Sequence, residues 1–152
     1  MEKKVLLVED DRNKANTIMS FLQETYSDMN IEYAMSYQSG VDLAISKHYD
    51  LLLLDMSIPN YDIDGDNSSE DTLKNGGELI IYELLDENVD FDCTIITQYE
   101  TINDEPLSVI DERLRKICGD KYHGYVQYQT YNEEWKKNLK KNIDHVINTN
   151  NR

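Results

Sequence analysis

Two short apolar runs in this chain end in carboxylates. Val5-Leu6-Leu7-Val8 runs into Glu9-Asp10-Asp11, and Leu51-Leu52-Leu53-Leu54 runs into Asp55. Continuous apolar runs of this length read as buried strands of a parallel sheet, covered on both faces by helices. If the two strands are neighbours, their carboxyl ends bring acids to one point. In open α/β sheets that edge is where ligands bind. Clustered carboxylates repel each other and persist with a cation among them. Hard oxygen donors with water around them suit Mg²⁺. The competing reading makes the acids simple caps: Asp10 or Asp11 for the first helix, Asp55 for a turn.

The elements that must position these acids alternate. Lys4–Val8 reads as the first strand, followed by a helix with Ala15, Ile18, Met19, Leu22 and Tyr26 at helical spacing. Ile31–Met35 is the second strand. Ser36–Lys47 is a helix buried through Val41, Leu43, Ala44 and Ile45, and Asp50–Leu54 is the third strand. Asn60–Asn75 is polar and acidic without periodicity, which predicts a long loop. Gly76–Leu85 resumes a helix, and Cys93–Thr97 is a buried fourth strand. Pro106–Cys118 is helical, with Leu107, Ile110, Leu114 and Ile117 inward. Gly124–Tyr128 is the fifth strand. The last helix, Asn132–Ile147, buries Trp135, Leu139, Ile143 and Val146. Five strands alternating with five helices predict a doubly wound three-layer α/β sandwich, one domain over residues 1–152 with an acidic insertion at about 60–75.

Composition narrows the partners. Thirty acids against 15 bases give a formal net charge of −15. That argues against direct nucleic-acid binding, which needs a basic face, and against anionic membrane. No stretch approaches a transmembrane helix, and the N-terminus runs straight into a strand without a signal peptide. Cys93 and Cys118 lack metal spacing and read as two buried thiols of a cytoplasmic protein. His48, His123 and His145 are far apart and read as surface or boundary residues.

Taken together, Val5–Asp11, Asp55-Met-Ser-Ile-Pro59, Thr97 and the final helix resemble the receiver domain of two-component response regulators. The resemblance covers nearly the whole chain. It implies a flavodoxin-like (CheY-like) sheet of order 2-1-3-4-5. It implies that Asp55 is the phosphoacceptor, with Mg²⁺ held by Glu9, Asp10, Asp55 and the main-chain carbonyl of Ser57. Thr97 matches the hydroxyl that hydrogen-bonds the phosphoryl group and acts as a switch. Pro59 shapes the turn after Asp55, and Gly76 restarts the following helix. The resemblance implies at most Mg²⁺-dependent phosphoryl acceptance and self-dephosphorylation, and not the chemistry of a conventional metabolic enzyme.

The departures are equally specific. Receivers normally end strand five with lysine and then proline; here Tyr128 and Gln129 stand there. Lysine brings a fixed positive charge, whereas tyrosine offers a neutral donor. Gln98 follows Thr97 where a small residue is usual, and could gate the site. Two functions therefore compete. One is a stand-alone receiver in a phosphorelay, accepting a phosphoryl group from a histidine kinase or phosphotransfer protein and signalling by docking. The other is a pseudo-receiver, a phosphorylation-independent interaction module. A dehalogenase-type phosphatase would need a second acid where Ser57 stands, and a flavodoxin would need a phosphate cradle where the turn after strand one is acidic.

The insertion contains Asp62-Ile63-Asp64-Gly65-Asp66-Asn67-Ser68, acids at alternate positions as in a Ca²⁺ loop. Asn67 and Leu73 break that pattern where glycine and glutamate belong. Gly76-Gly77 is expected to lend flexibility at its end. Tyr122, Tyr125, Tyr128 and Tyr131 read equally as an aromatic interface on the face of helix four, strand five and helix five, where a homodimer could form, or as ordinary packing in a chain with 11 tyrosines.

Overall fold

The structure, a computed structural model, describes residues 2–62 and 72–150. Five parallel strands form the central sheet: β1 (Lys3–Val8), β2 (Met29–Ala34), β3 (Leu51–Leu54), β6 (Cys93–Thr97) and β9 (Tyr122–Gln127). Their spatial order is β2-β1-β3-β6-β9, the expected 2-1-3-4-5 when sheet strands alone are counted. The helices are α1 (Arg12–Thr25), α2 (Tyr37–Ser46), α3 (Gly76–Asp86), α4 (Leu107–Cys118) and α5 (Glu134–Asn150). None of the described helices is long and apolar enough to cross a membrane.

Strand alternation sorts the core into two layers. Leu6, Val8, Leu52, Leu54 and Ile95 face one way and pack with Val41, Ile80, Leu84, Ile110 and Leu114 of α2, α3 and α4. Val5, Leu7, Leu51, Leu53, Ile96 and Val126 face the other, against Ala15, Ile18 and Leu22 of α1 and Trp135, Leu139, Ile143 and Val146 of α5. Each fully buried leucine or isoleucine contributes roughly 1.5–3 kcal/mol relative to exposure. In the apolar stripes two residues differ from expectation. Ile45 and Ile117 are 46% and 49% exposed. α2 turns Val41 and Ala44 inward, and α4 closes its buried face with Cys118. Both thiols are free and buried, as expected.

The helix termini follow from local chemistry. Ser36 and Ser39 form a reciprocal capping box on α2. α3 ends in a Schellman motif: Asn88 takes a φ of 56°, its N–H donates to Leu85 O, and Val89 N–H donates to Leu84 O. In β9 a bulge accompanies Gly124 at φ 97°. A β-carbon there would meet the Arg115 guanidinium at 2.8 Å.

Two small ribbons depart from the sequence reading. β4 (Ile58–Pro59) pairs antiparallel with β5 (Thr72–Leu73), so the expected structureless loop over 60–75 is closed at its base by strand pairing. Its first residues are tied to α2: Gln38 N–H donates to Asn60 O at 3.0 Å, and Ser39 Oγ to Asp62 Oδ1 at 2.9 Å. Residues 63–71, which carry most of the Ca²⁺-like pattern, lie outside the described residues. β7 (Thr101–Ile102) pairs with β8 (Glu105–Pro106) across a two-residue turn with Asn103 and Asp104 at φ 52° and 65°. Both central residues at positive φ is the geometry of a type I′ hairpin, and Asn and Asp tolerate it best among non-glycine residues.

Candidate metal and phosphoacceptor site

β1 and β3 lie side by side in register, Val8 opposite Leu54, so their next residues emerge together. Glu9 N–H donates to Ala34 O at 2.9 Å, and Asp55 N–H donates to Val8 O at 3.0 Å. Carboxylate oxygens of Glu9, Asp10 and Asp55 all lie within 4.8 Å of one another. Glu9 and Asp55 are buried, at 1% and 4% exposure, while Asp10 is exposed. The cap of α1 is Asp11: its Oδ1 accepts from Asn13 N–H at 2.9 Å and Lys14 N–H at 3.2 Å. Asp10 is thereby left to the acid cluster.

Lys14 is a participant that sequence reasoning missed. It is 4% exposed, and its Nζ stands 2.7 Å from Glu9 Oε1, 3.4 Å from Asp55 Oδ1 and 3.2 Å from Ile96 O. The signal was available. Lys14 falls four residues before Ile18 and beside Ala15, on the inward stripe of α1, where a cation needs a buried anion to answer it.

Electrostatics follow from crowding. Burial, then the charge of Asp55, push the Glu9 carboxyl up to about 8, against the pull of Lys14. Burial and Asp55 raise Asp10 as well. Burial would lower the Lys14 ammonium, but the charges of Asp55 and Glu9 outweigh it and hold it protonated. Three carboxyl groups face one ammonium, so negative charge is in excess whenever all three are ionised, and the raised Glu9 and Asp10 carboxyls express that crowding. Glu9 Oε1, although close to Lys14, is buried without a well-directed hydrogen bond. A hard divalent cation fits this donor set in charge and in ligand chemistry.

Asp55 Oδ1 also accepts from Met56 N–H at 2.8 Å. Ser57 lines an adjoining cleft of about 430 Å³ with Lys74, Tyr99, Thr101, Ile102, Asn103 and Asp104. The β7–β8 hairpin therefore forms one wall beside the site. Thr97 is fully buried at the end of β6, and its Oγ1 accepts from Tyr99 N–H at 3.4 Å. Gln98 is exposed.

Tyr128 follows β9, its N–H donating to Thr97 O at 2.8 Å. Its ring centroid lies 5.3 Å from Lys14 Nζ and 5.0 Å from the Trp135 ring. The tyrosine cluster divides. Tyr122 and Tyr128 are core residues, while Tyr125 and Tyr131 are 38% and 79% exposed. The expected four-tyrosine face thus reduces to two.

No protein-family model matches the chain. Among curated proteins it is 25% identical over 146 residues to the Detocs response regulatory protein DtcB of Enterobacter cloacae, covering 92% of this chain and 97% of that protein. It is 42% identical over 57 residues to the response regulator ArlR of Staphylococcus saprophyticus, a match spanning 38% of this chain and 25% of that one. Among solved structures, the N-terminal domain of a response regulator/sensory box/GGDEF protein from Carboxydothermus hydrogenoformans superposes with a TM-score of 0.66. The identity is 18%, covering 98% of this chain and 97% of that one. The response regulator TrrA from Thermotoga maritima, solved in complex with Mg²⁺-BeF, gives 0.58 at 20% identity, covering 92% and 98%. The chain has the CheY-like fold of response-regulator receiver domains; its sequence is similar to one response regulatory protein over nearly its whole length and to ArlR over about a third.

Proposed function

We propose that the chain is a single, stand-alone receiver domain that accepts a phosphoryl group on Asp55 from a histidine kinase or phosphotransfer protein. The observation carrying this reading is the convergence of Glu9, Asp10 and Asp55 within 4.8 Å at the carboxyl edge of the sheet. Glu9, Asp10, Asp55 and the carbonyl of Ser57 would hold Mg²⁺, which when bound neutralises charge on the transferring oxygens. Asp55 Oδ1 is engaged by Met56 N–H and Lys14, and in this reading Oδ2 is the attacking oxygen. Thr97 supplies a hydroxyl to the phosphoryl group, and the exposed Gln98 borders its approach. Signalling is by docking to a protein partner in the cytoplasm. Tyr125 and Tyr131 are the aromatic side chains that this face exposes.

The test is exposure to acetyl phosphate and Mg²⁺, read by intact mass. One phosphoryl adduct that is lost in Asp55→Asn supports the reading. No adduct with Mg²⁺ binding intact favours the second reading, a phosphorylation-independent interaction module. That alternative draws on Tyr128 at the position of the usual lysine and on an ammonium already seated among the acids.

A further inference from the structure

We infer that Lys14, carried by α1, is the fixed positive charge that meets the phosphoryl group on Asp55, replacing a charge from the last sheet strand. The inference rests on the phosphoacceptor reading above. An ammonium has three N–H donors. Lys14 Nζ donates one to Ile96 O at 3.2 Å and forms ion pairs with Glu9 Oε1 at 2.7 Å and Asp55 Oδ1 at 3.4 Å. The Tyr128 ring lies against its remaining side at 5.3 Å. The charge is thus held from four directions and hidden from solvent, with its longest contact to the nucleophile. A charge preorganised beside the reacting atoms in a water-poor site stabilises a transition state without reorganising.

Burying an ammonium is costly unless anions answer it. A lysine kept solely to relieve the acids would duplicate what a divalent cation does. Its contact with Asp55 Oδ1 instead puts it beside the atom pair where new negative charge arrives. With acetyl phosphate as donor, an Asp55 carboxylate oxygen forms the new bond to phosphorus. The bond from phosphorus to the acetate oxygen breaks, and its electron pair leaves with acetate. Lys14 stays protonated throughout and moves no proton.

The experiment compares the wild type, Lys14→Met, and Lys14→Met combined with Tyr128→Lys. Adduct formation with acetyl phosphate and Mg²⁺ is followed by intact mass, and Mg²⁺ affinity by calorimetry. The expected result is an adduct rate lowered on the order of 100-fold in Lys14→Met, with Mg²⁺ affinity retained or tightened. The double variant, which returns a cation from the strand-five side, recovers the rate. Adduct formation by Lys14→Met at the wild-type rate overturns the inference and leaves the phosphoacceptor reading standing. Parallel loss of adduct and Mg²⁺ affinity also overturns it, since Lys14 would then merely hold the acids in place. If Lys14→Met does not fold, a folded double variant that forms no adduct overturns it as well. A wild type that binds Mg²⁺ but takes no adduct overturns the reading and the inference together.

Discussion

The first turn of α3 lies directly on the main chain of the candidate nucleophile: a β-carbon on Gly77 would collide with the Asp55 carbonyl oxygen. Gly77 N–H donates to Met56 O at 3.1 Å, and a β-carbon on Gly76 would strike the Ile58 side chain. The two glycines are therefore needed for close approach, not for the flexibility their sequence suggested. They begin a helix whose backbone must touch the strand-end turn that carries Asp55.

Gly77→Ala should displace that turn. Overpacking of this kind costs typically 1–3 kcal/mol. Urea denaturation should show the loss as a lower midpoint, and Mg²⁺ affinity should fall because Asp55 moves relative to Glu9 and Asp10. An unchanged midpoint with unchanged Mg²⁺ affinity would refute the close-packing argument.

A second consequence concerns the way α3 is tied to α4. Glu78 is buried, and Arg113 Nε donates to its Oε2 at 2.9 Å while the Tyr82 hydroxyl donates to the same oxygen. Arg113 continues to Glu105 of the β7–β8 hairpin, through Nη1 at 2.7 Å and Nη2 at 2.9 Å. Arg113→Met leaves Glu78 a buried charge without its cation. A fully buried broken pair costs 3–5 kcal/mol; with the Arg113 side chain 34% exposed, about 2 kcal/mol is expected. For a chain of this size that lowers the melting temperature by roughly 6 °C. Adding Glu78→Gln should recover part of the loss, because no charge then remains buried. A double variant no more stable than Arg113→Met alone would argue against the ion pair as the cause.

Much of this fold was legible because two periodicities in the sequence agree with its burial. The leucines of β3 and the Trp135, Leu139, Ile143, Val146 stripe of α5 are all core. The site's three acids were legible for the same reason: they end strands that a doubly wound sheet sets side by side. Lys14 was not, because a lysine ordinarily reads as solvated surface and its anions are five and 41 residues away. Nor were the two ribbons, whose strands are two residues each and carry no periodicity. The hairpin did leave a trace in Asn103-Asp104, the pair that accepts two successive left-handed residues.

The thiols offer a test of the packing against β6. Burial pushes Cys93 well above the ordinary thiol range, with the nearby Cys118 and Asp92 adding to it. Burial also raises Cys118, against the pull of Lys121. A higher pKa means less thiolate at any given pH, and thiolate is the reactive form. Neither cysteine should react readily with an aromatic disulfide reagent at pH 8 in the native protein, and both should titrate on unfolding in denaturant. Fast native labelling of Cys93 would contradict its placement in the core.

The single tryptophan supplies an optical readout of the acid cluster. Trp135 packs against Tyr128 with its ring tilted by 50° and the centroids 5.0 Å apart; the Tyr128 ring lies 5.3 Å from Lys14, and Lys14 contacts both Glu9 and Asp55. A divalent cation entering among the acids adds positive charge beside the Lys14 ammonium, and that change in field reaches the Tyr128–Trp135 pair. Mg²⁺ titration should therefore change Trp135 emission in a saturable way, reversed by a chelator. Glu9→Gln and Asp55→Asn should each weaken the titration, since each replaces an anionic oxygen ligand by a neutral amide oxygen. Tyr128→Leu should leave Mg²⁺ affinity by calorimetry near that of the wild type but reduce the optical change, because the relay and not the site has been cut. An emission change that survives Tyr128→Leu at full amplitude would show that Trp135 senses the site by another route.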